Sequence, residues 1–115
     1  MSSKPNALPA GEAWPLESLI ASIPGGIASR VLAKSGGGSV TLFAFDEGQG
    51  LSEHTSPFDA LVVVLTGALG VTIGGAPLEA GSGSIVRLPA GVPHDVDARE
   101  PTRMLLVMLK ETTAA

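Results

Sequence analysis

The chain has no cysteine and no tyrosine, and its 115 residues include one tryptophan and three phenylalanines. Without cysteine there are no disulfides, no thiolate nucleophiles and no cysteine-ligated zinc. With so few aromatics there is no platform on which bases stack. Seven Lys+Arg against 11 Asp+Glu, a formal net charge of −4, leave no basic stripe for a phosphate backbone. Nucleic acid is therefore not an expected partner. Long apolar runs are also missing: the longest, 60–65 and 104–109, are far too short to span a bilayer. The first fifteen residues hold one lysine and no continuous apolar stretch of the secretory kind. The expectation is a cytoplasmic protein with no membrane partner.

What is present is oily. Hydrophobic residues make up 44% and charged residues 16%, and the mean hydropathy is +0.37. That length and composition fit one globular domain. They also give more apolar surface than a monomer of this size needs, so a homodimer is expected to cover part of it.

Residues 1–25 read as an N-terminal arm, loose over 1–13 and with one or two helical turns from Trp14 to Ile20. Pro15 suits a first helical position, and Leu16, Leu19 and Ile20 share a face. After Pro24, Gly25 and Gly26 the punctuation is that of a β protein. Glycine breaks at 36–38, 48–50, 74–75 and 81–83 separate short runs rich in Val, Leu, Ile and Thr. Strands are expected at 27–34, 39–46, 51–56, 60–66, 68–73, 84–88, 93–98 and 103–110. Many short strands at this spacing make an all-β sandwich or barrel over 26–110, followed by a C-terminal tail at 111–115. Several strands are apolar on both faces, so one face fills the barrel and the other needs a second sheet, the arm or a partner subunit.

Two segments carry the chemistry. One runs from Gly48 through His54, Ser56 and Asp59 to Gly67. The other has Gly83, five residues, Pro89-Ala90-Gly91, two residues, then His94. The second resembles the second cupin motif at each of those positions, with Ala98 where an Asn often closes it. The first resembles the first cupin motif in its leading Gly, its His and its closing Gly. The likeness covers about residues 26–110 and implies a double-stranded β-helix, the jelly-roll barrel of RmlC-like cupins.

In that family two motifs supply three histidines and a glutamate to a divalent metal. By resemblance His54 and His94 fall on two of those positions, whereas Ser56 and Ala60 stand where a second His and the Glu are expected. The metal site is thus depleted, and a divalent cation (Zn, Ni, Mn or Fe) or none is the implied cofactor. Strand alternation, taken alone, puts His54 and Ser56 on one face, continued by Ala60, Val62 and Val64. It puts His94, Val96 and Ala98 on another inward face, with Asp95, Asp97 and Arg99 outward. Met104, Leu106 and Met108 share a core face that also walls the pocket.

Catalytic metals usually take three protein ligands. Glu53 and Asp59 are each one place out of phase, so regular pleating turns both outward. A bulge at Pro57 would swing Asp59 inward as an extra ligand; Gln49 is a further candidate from its loop. Against this, Asp59 also reads as a solvated or loop-capping carboxylate, Ser56 as a polar lining residue, and Arg87 as the partner of a surface carboxylate. No Ser-His-Asp set is evident. Two functions follow: a small-molecule binder with a weakened two-histidine site, or a metal-dependent enzyme of dioxygenase or isomerase type using His54 and His94 with waters or Asp59. A metal-free acid–base enzyme ranks below both: it needs a carboxylate to orient the histidine and a basic anchor for an anionic substrate, and no convincing basic anchor is present.

Overall fold

A computed structural model describes residues 7–110. Residues 1–6 and 111–115, and with them part of the arm and the tail expected from sequence, lie outside the described residues. Nine strands follow a single 3-10 turn at Leu16–Ser18: β1 (Ile27–Ser35), β2 (Gly38–Phe45), β3 (Gly50–His54), β4 (Ala60–Thr66), β5 (Ala68–Ile73), β6 (Ala76–Gly81), β7 (Ile85–Leu88), β8 (His94–Ala98) and β9 (Thr102–Leu109). They form two antiparallel sheets, one of order β1-β2-β9-β4-β7 and one of order β3-β8-β5-β6. This is the all-β sandwich that the strand spacing predicts, in the jelly-roll form that the resemblance implies.

Alternation decides which side chains meet between the sheets. On β4, Ala60, Val62 and Val64 are buried while Leu61, Val63 and Leu65 are half-buried. On β8, His94, Val96 and Ala98 are buried and the two aspartates between them are not. These side chains meet Phe45, Leu69, Val71, Leu88 and Met104 in one core between the sheets. Each fully buried large aliphatic or aromatic side chain there contributes about 1.5–3 kcal/mol. The rings of Phe43 and Phe45 lie nearly parallel, with centroids 5.6 Å apart.

The second apolar face of the large sheet is partly covered by the arm. Leu19 and Ile20 pack on Leu32, Leu42 and Ala44 as a separate cluster. Arg30 and Arg103 hold that segment by donating to the carbonyls of Leu19 (3.1 Å) and Ile20 (3.4 Å). Leu16 does not join its expected partners: the 3-10 turn is too short to keep its helical phase, and Leu16 is exposed. Farther along the same face Ile85 stays 62% exposed and Leu109 45%.

Strand β6 is the element sequence reading did not anticipate. Its run Ala-Pro-Leu-Glu-Ala-Gly has neither β-branched residues nor alternation, and it pairs only with β5 at the rim of the smaller sheet. Pro77 is tolerated because an edge strand has no second neighbour to bond. The turn from β4 to β5 depends on Gly67, at φ 95°, where an added Cβ would press on Thr102 Oγ1 and the Pro101 carbonyl.

Candidate functional site

The two histidines meet at one end of the core. β3 pairs with β8, with Leu51 opposite Val96 and His54 opposite His94. Two residues lie between these pairs along β3 and one along β8, so β3 carries one extra residue between Leu51 and His54. This bulge matters. Leu51 and His54 would sit on opposite faces of a regular strand, and the extra residue turns both inward. The bulge lies upstream of Pro57, at Ser52-Glu53, and acts on a histidine rather than on Asp59.

His94 arrives from the other side on the Pro89-Ala90-Gly91 turn, where Gly91 takes φ 76°. Its imidazole is buried at 5% exposure, while His54 is exposed toward solvent. The ring centroids lie 4.4 Å apart, edge to face at 74°. The two Nε2 atoms are 3.2 Å apart.

The other ring nitrogens fix the tautomers. His54 Nδ1 lies 2.8 Å from the Ser52 carbonyl oxygen, and His94 Nδ1 lies 3.2 Å from the Val92 carbonyl oxygen. A carbonyl only accepts, so each Nδ1 carries the hydrogen. In the neutral rings both Nε2 atoms are then bare acceptors, 3.2 Å apart. Two acceptors at 3.2 Å repel. A cation held by both nitrogens would relieve that repulsion. Donation of the second ring N–H to a backbone carbonyl is also how metal-binding histidines are held.

Behind the pair lies a small apolar cavity lined by Leu51, Ser56, Ala60, Val62, Leu88, Val96, Met104, Leu106 and Met108 along with both histidines. Its free volume is ≈ 20 Å³, about enough for one water. Ser56 is buried, and its Oγ accepts from the Phe58 amide at 3.3 Å. Of the residues expected at the pocket wall, Val64 is not among those that line the cavity; it is fully buried in the core. Leu51 and Leu88 line the cavity without having been expected there. Leu51 was out of phase with His54 until the bulge is counted, and Leu88 shares its inward face with Ala60, its register partner on β4.

Asp59 does not enter the cavity as an extra ligand. Its Oδ2 accepts from Arg87 Nη1 at 2.8 Å and its Oδ1 from the Ala90 amide at 2.8 Å, on the outer side of the strand. The Ala90 amide, and after it the Arg87 guanidinium, hold the Asp59 carboxyl below its usual value. Two partners on the outside outweigh a desolvated place inside. Arg87 thereby has the surface carboxylate expected for it. Among the described residues no group of three or more His, Asp or Glu is arranged to hold a metal ion. No helix among them is long and apolar enough to cross a membrane.

A two-sheet jelly roll with a histidine from each motif facing one end of its core defines a class, and the comparisons give the family. Residues 41–109 match the cupin domain model. The chain belongs to the cupin family. It is similar to a conserved protein of unknown function from Streptococcus pyogenes, 31% identical with TM-score 0.88 over 98% of each chain. It is also similar to a cupin superfamily protein from Desulfitobacterium hafniense, 26% identical with TM-score 0.85 over 96% of this chain and 100% of that one. A cupin 2 conserved barrel domain protein from Leptotrichia buccalis is 33% identical with TM-score 0.77, over 81% of this chain and 45% of that one. None of the curated proteins matches the chain.

Proposed function

We propose that this cupin binds one divalent cation through His54 Nε2 and His94 Nε2 and offers the remaining coordination positions to a small ligand at the mouth of the barrel. The observation that carries this is the pair of Nε2 atoms 3.2 Å apart, with each Nδ1 held at a backbone carbonyl. The donor set fits. Two imidazole nitrogens 3.2 Å apart would both be within reach of one zinc-like ion. Imidazole nitrogen suits Zn, Ni, Cu and Fe better than the hard cations. A bound ion of this kind supplies a Lewis acid with positions left for solvent or ligand.

The chain's own residues set what accompanies it. Ser56 is the one further polar side chain in the cavity wall, and the rest of the lining is apolar. The cavity's free volume, ≈ 20 Å³, admits about one water, so the body of any larger ligand rests on the outer, His54 side. This narrows the small-molecule reading from the barrel interior to its rim. The enzyme reading has less support. The two-histidine-one-carboxylate arrangement of non-haem iron oxygenases lacks its carboxylate, because Asp59 is engaged outside.

The test is elemental analysis of protein purified without a metal-affinity step, followed by calorimetric titration of the stripped protein with Zn²⁺. Close to one equivalent in the parent, lost in the His54→Ala, His94→Ala double variant, is the expected result. Equal and negligible uptake by both proteins, with excess metal present, refutes it.

A further inference from the structure

Two neighbouring ties hold the segment after His54 to the turn before His94. The Gly91 amide donates to the Ser56 carbonyl at 2.8 Å, and the Ala90 amide donates to Asp59 Oδ1 at 2.8 Å. Asp59 Oδ2 takes Arg87 Nη1 as well, so one carboxylate grips the last residues of β7 and the middle of the turn together. Asp59 is itself anchored, because its carbonyl accepts the Leu109 amide from β9 at 3.2 Å. The gripped turn leads through Val92, whose carbonyl sets the His94 tautomer, to His94.

We propose that Asp59 is a positioning residue for the histidine pair: by pinning Ala90 it sets where the turn places the His94 ring relative to His54. This rests on the two-histidine reading of the site and adds to it the side chain that fixes the pair's spacing. Asp59 touches neither ring and lines no part of the cavity. Its charge matters less than its reach. The Arg87 pair is open to solvent, at 64% and 35% side-chain exposure, and such pairs contribute little. The bond to Ala90, by contrast, is directional and sits four residues before His94.

The experiment compares the full-length parent with Asp59→Ala, Asp59→Asn and Arg87→Ala. In the metal-free state, nuclear Overhauser contacts between the two imidazoles and long-range ¹⁵N correlations report their spacing and tautomers. Cobalt(II) titration then reports affinity. Asp59→Ala is expected to lose the ring–ring contact and to weaken cobalt binding about tenfold, the lower end of the loss when a directly bonded outer partner of a metal ligand is removed, since Asp59 acts one step farther out. Asp59→Asn keeps an acceptor for Ala90, and Arg87→Ala keeps the Asp59 tie, so both are expected to retain the ring contact and to bind within about twofold of the parent. Should Asp59→Ala not fold, Asp59→Glu replaces it; its longer arm keeps the pair with Arg87 while shifting the turn, and it too should lose the ring contact. Unchanged ring contacts and tautomers in a folded Asp59→Ala or Asp59→Glu protein overturn the inference, whatever cobalt does. A parent that takes up no cobalt, while its ring contact still depends on Asp59, upholds the positioning role and removes the metal reading instead.

Discussion

Truncating Met104 to alanine tests the packing of the site from beneath. Met104 is fully buried, pairs in register with Phe43 on β2 and Val64 on β4, and forms part of the cavity wall. The substitution removes Cγ, Sδ and Cε. At about 0.8 kcal/mol per buried methylene-sized group the transfer loss is about 2.4 kcal/mol. The void adds about 24 cal/mol for each Å³ that the walls fail to close, which puts the total at about 2–5 kcal/mol. Small domains are stable by roughly 5–15 kcal/mol, so the variant should still fold, with its melting temperature lowered by roughly 10–20 °C. Urea unfolding of both proteins gives the difference directly. The enlarged space is apolar and next to a cavity of ≈ 20 Å³, so benzene should stabilise the variant and leave the parent unaffected. A loss below about 1 kcal/mol, or equal stabilisation of the parent by benzene, would refute the tight, nearly filled interior described above.

Two further predictions concern the frame around the site. Gly67→Ala should destabilise by about 1–3 kcal/mol, because φ 95° disfavours a side chain and the new Cβ presses on Thr102 and the Pro101 carbonyl; a shift of less than about 0.5 kcal/mol in urea would show that the turn relaxes freely. Asp46, Asp59 and Glu79 are all held below their usual values: Asp46 by the Gly25 and Glu47 amides, Asp59 by the Ala90 amide and Arg87, and Glu79 by Arg99. The native state therefore binds fewer protons than the unfolded chain in acid. The stability these groups contribute is complete above the unfolded carboxylate range, about pH 4, and is lost as the pH falls through the lower native values. Melting temperatures recorded from neutral pH down to about pH 2 should fall in that window, and less steeply in Glu79→Gln and Asp59→Asn. Parallel acid limbs in parent and variants would count against it.

Much of the site could be read from the chain because its residues obey local rules. A glycine, a Pro-x-Gly turn and a histidine at fixed spacing in 83–94 specify a strand, a bend and an inward side chain without reference to anything distant. Alternation placed Ala60, Val62, Val96 and Met104 inside for the same reason, since successive side chains of a strand leave opposite faces. The apolar second face of β2 likewise announced that something must cover it, and Leu19 and Ile20 do so in part.

Other features belong to pairing between strands, and no local pattern contains them. The extra residue in β3 exists only relative to β8, and it alone brings Leu51 and His54 to the same side. Whether a carboxylate faces in or out is likewise a contest between partners: Asp59 finds the Ala90 amide and Arg87 outside and no cation among its inner neighbours to match them. Val64 shares a face with Val62 yet does not line the cavity, because where a cavity lies along a barrel depends on how the opposite sheet closes over it. The sequence by itself determined which residues point toward the core, since the two-residue period of a strand is a property of its own backbone. The tertiary structure decided how close the two imidazoles come and how little space lies behind them, since register, bulges and sheet closure are settled only when strands distant in sequence pack together.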